Sequence, residues 1–380
     1  MKRNLLLTPG PTQIPPEVCE VLGEPIIHHR TPQFQQILKE ATEGLKYVFQ
    51  TKNDVFILTS SGTGAMEAAV SNLLSAGDKA VTVESGKFGE RWTELCKVYW
   101  VDTQVIKVQW GKSVLPGQIA EVLMQEKNIK AVYVTLVETS TGVTADIKAI
   151  GEVVKRTNAV LVVDAISGLG AADLQTDNWN VDVAVSGSQK GLMLPPGLGF
   201  ISVSQKAYEL MRHAKLPRYY FDLNMAKKAL EKTDTPFTPA IGIISALNQS
   251  LKIIKNQTLE KLFTHFAKLA RATRAAAKAL GLELYADPSC ISDVVTAIKL
   301  PVHIDGEKLV KVMRDTYGIT IAGGQGEELK GKIIRIAHMG CIDENDILAG
   351  ISYLEKVLKE LGYKFELGAG LAAAQKVFNS

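Results

Sequence analysis

An α/β fold, with a mainly parallel seven-stranded sheet covered by helices on both faces and a smaller α+β domain after it, is what this sequence predicts. Three observations carry the expectation. Seven short, β-branched apolar runs recur through the first 205 residues, separated by stretches with helical spacing, and strands alternating with long helices imply parallel pairing. The runs are apolar almost throughout, as strands buried on both faces must be. After about residue 240 the pattern changes to long helices with only two further strand-like runs.

In chain order the runs are VFIL at 55–58, AVTV at 80–83, QVIKV at 104–108, AVYV at 131–134, AVLVV at 159–163, VDVAV at 181–185 and GFISV at 199–203. Apolar periodicity predicts helices over 32–49, 63–74, 88–98, 118–126, 146–157 and 205–214, punctuated at Gly77-Asp78, Gly117 and Gly151. Beyond them come helices over 241–256 and 259–280, a strand over 294–300, a helix over 306–315, a strand over 332–338 and a helix over 344–361. This divides the chain into an N-terminal extended segment at 1–20, a large α/β domain at 21–257 and a small α+β domain at 258–380. TPGPTQIPP in the first segment is too proline-rich for a helix and is expected to lie across a partner subunit. The Ala/Gly-rich tail ELGAGLAAAQKVFNS is expected to be a loosely docked helix.

Composition excludes several classes. With 380 residues, 43 Lys plus Arg against 40 Asp plus Glu, 22% charged and 46% apolar, the chain reads as a folded soluble protein with no nucleic-acid partner. The opening MKRNLLLTPGPT falls short of a secretory apolar core, and no run approaches the roughly 18 residues of a membrane span. Cys19, Cys96, Cys290 and Cys341 form no C-x-x-C pair, so neither a disulfide framework nor a zinc knuckle is indicated and a cytoplasmic setting is expected. His28 and His29 point to opposite sides of an extended chain without a carboxylate cluster, and no metal is expected.

Ligands of open α/β sheets sit beyond the carboxyl ends of the strands, so the residues following each run matter most. After VFIL comes Thr59-Ser60-Ser61-Gly62-Thr63-Gly64, a turn opening straight into a helical stretch. Free N–H groups and the positive end of a helix make such a turn a phosphate cradle, and the same residues also read as an ordinary Ser/Thr helix cap. The turn is neither G-x-G-x-x-G nor a P-loop; Gly111-Lys112-Ser113 fails the latter because Ile106 replaces the first glycine. After AVLVV comes Asp164, and after VDVAV comes Ser186-Gly187-Ser188-Gln189-Lys190. Asp164 and Lys190 read either as a simple ion pair or as a functional pair. The apolar stretch after Lys190 favours the second, because desolvation lowers an ammonium's pKa and makes it nucleophilic enough for a Schiff base. A phosphate cradle, a carboxylate for a ring nitrogen and a reactive lysine together describe pyridoxal 5'-phosphate.

These residues carry a family resemblance that spans nearly the whole chain. LLLTPGPT at 5–12, HHRTP at 28–32, SSGTGAMEAA at 60–69, ETSTGV at 138–143, VVDAISGLG at 162–170, SGSQKGLMLPPGLGF at 186–200 and IRIAHMG at 334–340 resemble class V aminotransferases of fold type I. Within that family the residues look like those of the alanine–glyoxylate and serine–glyoxylate (serine–pyruvate) enzymes. The resemblance implies that Lys190 is the Schiff-base lysine and Asp164 the partner of the pyridine nitrogen. It implies Ser61, Gly62 and Thr63 at the phosphate with Gln189 beside them, Thr139 on the ring-hydroxyl side, and Phe88 stacked on the ring where many relatives carry Trp. It also implies Arg335 at the substrate carboxylate, and Thr238 at the phosphate of the neighbouring subunit's cofactor in a homodimer. Thr235 stands where some relatives carry a tyrosine.

The expected activity is transfer of an amino group from a small L-amino acid, alanine or serine, to glyoxylate or a similar small 2-oxo acid. A single arginine clamp, Arg335, favours monocarboxylic donors. The alternatives are a 2-aminoethylphosphonate–pyruvate aminotransferase and a non-catalytic accessory subunit. A cysteine desulfurase is excluded by the absence of cysteine from the loop 323–329. For Thr238 the cross-subunit reading has a further motive: the Pro-broken TPFTPAIG has no evident reason to return to its own cradle.

Overall fold

The seven apolar runs form one sheet in the computed structural model, which describes residues 4–380. The strands are β1 (Asp54–Ser60), β2 (Lys79–Glu84), β3 (Asp102–Lys107), β4 (Ile129–Thr135), β5 (Val160–Asp164), β6 (Val183–Gly187) and β7 (Gly197–Val203), in the spatial order β1-β7-β6-β5-β4-β2-β3. Neighbours from β6 to β3 pair in parallel. The exception is β7, antiparallel to both β1 and β6. Only 188–196 separate β6 from β7, too few residues for a helical crossover, so the chain doubles back. The carboxyl ends of β1, β6, β5, β4 and β2 therefore share one edge.

Alternate residues of each strand feed separate cores, which is why the runs are apolar throughout. Along β5, Leu161 and Val163 join one buried cluster while Val160 and Val162 join the other. The helices Gly62–Leu73 and Lys87–Val98 cover the second face with Met66 and Trp92. The helices Pro32–Phe49, Pro116–Gln125 and Ile147–Val154 cover the first with Phe49, Ile119 and Ile150. Each such side chain contributes about 1.5–3 kcal/mol on leaving water.

A second unit with its own sheet lies beyond two long helices, Ile241–Gln257 and Leu259–Ala279, which meet at Thr258 with φ 66°. It carries β8 (Val295–Lys299), β9 (Ala322–Gly323) and β10 (Ile333–Ala337), antiparallel in the order β8-β10-β9. Leu5–Leu6 pairs in parallel with Ile319–Thr320 of this unit. From Leu5 the chain thus passes from the small unit to the large sheet.

Two local expectations are corrected. Among the described residues of the 1–20 segment only those up to Pro15 are non-helical, because Pro16–Leu22 is a helix with proline at its start, where a missing N–H costs nothing. The tail is not loosely docked: Ala369–Phe378 is a helix packed along Leu259–Ala279, with Gly370 and Ala374 buried. Glu355, itself buried, accepts from the N–H groups of Gly368 at 2.6 Å and Leu371 at 2.9 Å. The helices Leu223–Leu230 and Gly326–Leu329 were not anticipated by periodicity. No helix among the described residues is long and apolar enough to cross a membrane.

Candidate active site

Lys190 lies in a turn at the end of β6 that is bonded to itself. Ser188 donates its N–H to Leu198 O at 2.9 Å and its hydroxyl to Pro195 O at 2.7 Å, and the N–H of Met193 donates to Lys190 O at 2.9 Å. The N-terminal strap crosses this turn: Thr12 donates its N–H to Gln189 O at 3.2 Å and its hydroxyl to Lys190 O at 2.9 Å. Lys190 Nζ donates to Pro9 O. Gly10, at φ +130°, lies so close that a Cβ there would stand 2.5 Å from Lys190 Cε. TPGPT therefore lies on its own chain's lysine. Enclosure by the strap and the sheet lowers the Lys190 pKa to about 8; Asp164 opposes the shift, and the charges of Arg335 and Arg91 add to it.

Asp164 ends β5 and is 3% exposed. Burial raises its carboxyl to about 7 and Glu138 adds to the rise, against the N–H of Ile166, which donates to Oδ1 at 2.8 Å, and the charges of Lys190 and Arg91. A buried carboxylate in this state gains from any cation or protonated nitrogen placed beside it.

At the end of β1 the chain enters the helix Gly62–Leu73 with Ser61 as an N-cap whose side chain makes no capping bond. Gly64 and Ala65 donate to Ser61 O, whereas the N–H groups of Gly62 and Thr63 have no acceptor among the described residues. Gly187 brings β6 against this helix start: a Cβ there would lie 3.3 Å from Gly62 N and 3.2 Å from Gln189 Oε1. Gln189 Oε1 is buried without a partner, and so is Thr139 Oγ1. Thr139 follows the strand Val137–Glu138, and its carbonyl accepts from Arg335 Nη1 at 2.9 Å.

Arg335, on β10, reaches the large sheet from the small unit. It is 4% exposed, and its Nε donates to Gly323 O at 2.9 Å, while Nη2 makes no bond among the described residues. Burial lowers its pKa to about 10, partly offset by Glu138. Phe88 begins the helix Lys87–Val98 and has Arg91 Cζ 5.2 Å from its ring centroid. Arg91 Nη1 donates to Thr63 Oγ1 at 3.3 Å.

Lys190, Asp164, Gly62, Thr63, Gln189, Thr139 and Arg335 are thus tied to one another by direct contact or by charge, and Phe88 joins them through Arg91 and Glu138. Thr238 is apart from them, exposed and without a hydrogen bond among the described residues. Its segment does return to its own cradle, since the N–H of Ala240 donates to Thr59 Oγ1 at 3.1 Å, contrary to the motive offered from the sequence. A cavity of about 840 Å³ lined by Met193, Phe266 and Cys341 includes none of these residues.

Three participants went unseen in the sequence: Glu138, Arg91 and the Pro9-Gly10 strap. Glu138 is buried and accepts from the N–H groups of Phe88 at 3.0 Å, Gly89 at 2.9 Å and Ser140 at 3.1 Å. Burial raises its pKa against those bonds. Its place next to Thr139 was a signal, as was the one-turn spacing of Phe88 and Arg91.

Residues 5–331 match the Aminotransferase class-V family. A protein named soluble hydrogenase, small subunit, from a Synechococcus species is 46% identical over 100% of this chain and 99% of its own length. The L-aspartate–glyoxylate aminotransferase of Paracoccus denitrificans is 38% identical over 98% of this chain and 96% of its own. The serine–glyoxylate aminotransferase of Hyphomicrobium methylovorum is 36% identical over 98% and 94%. Among solved structures, the ureidoglycine–glyoxylate aminotransferase of Bacillus subtilis matches with a TM-score of 0.96 and 30% identity, covering 100% of this chain and 99% of that one.

Proposed function

Because the chain belongs to the class-V aminotransferase family, we propose that it carries pyridoxal 5'-phosphate on Lys190 and passes an amino group from alanine or serine to glyoxylate or a similar small 2-oxo acid. The observation that carries this reading is the half-buried Lys190 amine set between the buried Asp164 and a helix start with unsatisfied N–H groups. The fit to the cofactor rests on the N–H groups of Gly62 and Thr63, donors without an acceptor, and on the buried Thr139 hydroxyl, which lacks a partner while its own carbonyl holds Arg335.

When bound, pyridoxal phosphate supplies an aldehyde for amines and a ring that takes up an electron pair. Ser61, Gly62 and Thr63, with Gln189 beside them, would hold the phosphate, Phe88 would stack on the ring and Thr139 would serve its hydroxyl side. Asp164 would keep a proton on the ring nitrogen, supplying the cation its buried carboxylate needs. Lys190 Nζ, with a pKa near 8, is neutral often enough near neutral pH to accept the donor's α-proton and hand it on. Arg335 spends Nε and Nη1 on the carbonyls of Gly323 and Thr139, which leaves Nη2 for a carboxylate.

The assembly in this reading is a homodimer in which Thr238 reaches the partner's phosphate; its exposure and lack of an internal partner support that role. A cytoplasmic setting agrees with four free cysteines. The hydrogenase name of a 46% identical relative favours a second reading, an accessory subunit that keeps the fold. Lys190, Asp164 and Arg335, all present, speak against it.

Borohydride reduction of the cofactor-loaded protein, followed by peptide mapping, should label Lys190, and a label elsewhere overturns the site. Alanine or serine should convert the bound chromophore and glyoxylate restore it, with aspartate as the comparison donor. A protein that binds the cofactor and turns over no donor would leave the accessory reading standing.

A further inference from the structure

Arg91 stands in the site without a carboxylate beside it. Among the described residues it makes no ion pair, although Glu90 is its neighbour in the chain and pairs instead with Lys87 at 2.8 Å. A half-buried guanidinium with no carboxylate in ion-pair contact, and Asp164 acting on it only through its charge at longer range, has given up hydration and points to an anion that belongs there.

Its position is set by the fold. Glu138 accepts from the N–H groups of Phe88 and Gly89 and so pins the first turn of the helix Lys87–Val98, from which Arg91 projects one turn after Phe88. From there the guanidinium touches two groups at once, the Phe88 ring and Thr63 Oγ1. The polarity of the second contact matters. Because Thr63 oxygen accepts from Arg91, the hydroxyl keeps its own proton for an outside acceptor. That hydroxyl joins the N–H groups of Gly62 and Thr63 as donors free at one helix start.

We propose that Arg91 is a positioning residue that gives the cradle its selectivity for a dianionic phosphate through Thr63. The proposal rests on the pyridoxal-phosphate reading above. Its test uses the full-length apoprotein, with pyridoxal phosphate, pyridoxal and inorganic phosphate titrated separately by fluorescence and calorimetry. Pyridoxal keeps the ring and aldehyde and lacks the anion.

Arg91→Gln should weaken pyridoxal phosphate and inorganic phosphate by about ten-fold or more, the scale of one charge-assisted bond, and leave pyridoxal within about two-fold. Arg91→Lys keeps the charge and loses the planar fork, so it should fall between the two. Equal weakening of pyridoxal and pyridoxal phosphate, or no change in either, overturns the proposal. If the glutamine variant does not fold, the lysine variant decides: a ratio of the two affinities equal to that of the unaltered protein overturns it, and a reduced ratio supports it. An unaltered apoprotein that binds neither aldehyde fails the parent reading, a result distinct from any change confined to the Arg91 variants.

Discussion

The amine of Lys190 donates to the main-chain carbonyl of Pro9, 181 positions earlier in the chain. That bond joins the Lys190 turn of the large sheet to a strap anchored in the small unit by the pairing of Leu5–Leu6 with Ile319–Thr320. Gly10 and Thr12 complete the contact, so the N-terminal segment covers the lysine within one chain.

Gly10→Ala should therefore block cofactor attachment more than folding. Its Cβ would lie 2.6 Å from Lys190 Nζ, and the φ of +130° is one that L-residues occupy at a cost of about 1–3 kcal/mol. A loss of visible absorbance with a melting point only a few degrees lower is the expected pair of results, read by spectrophotometry and calorimetry. Normal absorbance and turnover would mean that the strap lifts away in the working enzyme.

Attachment of pyridoxal phosphate to the apoprotein should accelerate with pH and level off above about 8, since only the neutral amine attacks and burial holds Lys190 near that value. Asp164→Asn should move the midpoint down and Arg335→Gln should move it up, because Asp164 raises this pKa and Arg335 lowers it. Linkage gives a second readout. The folded value lies below 10.5, so the penalty on the charged amine is fully present below about 8 and is relieved between about 8 and 10.5. Apoprotein melts of Lys190→Met should lack that relief.

Arg335→Lys should raise the donor KM and cost about 2 kcal/mol in kcat/KM. A lysine cannot satisfy the carbonyls of Gly323 and Thr139 and still offer a planar fork to a carboxylate. Initial rates with alanine and glyoxylate check it, and an unchanged kcat/KM assigns the carboxylate to another group.

Glu138→Ala should destabilise the protein by about 3 kcal/mol or more, since it leaves the N–H groups of Phe88, Gly89 and Ser140 buried without an acceptor. Glu138→Gln keeps one acceptor oxygen and should cost less. Denaturant unfolding of both apoproteins gives the comparison, and equal, small losses would show that water reaches those groups.

Glu355→Ala should loosen the tail by about 1–2 kcal/mol, the cost of a lost helix cap, because Glu355 accepts from Gly368 and Leu371 at the start of Ala369–Phe378. Faster amide exchange confined to that helix would be the signature. Exchange unchanged there would assign its docking to apolar contact alone.

What the sequence determined by itself is local. Seven apolar runs, the Ser61-Gly62-Thr63 turn, Asp164 at a strand end and Lys190 in its Ser-Gly-Ser-Gln turn were all legible, because periodicity and turn chemistry act over a few residues. The antiparallel β7 was half-legible, in a connection too short for a helix. Tertiary structure alone decided the partners that arrive from a distance. Glu138 reaches Phe88 across 50 positions, Arg91 reaches Thr63 across 28 and Pro9 reaches Lys190 across 181. A lone Glu, Arg or Pro carries no mark of such a contact, since sheet order and helix register, set by burial summed over the whole chain, bring these groups within bonding distance.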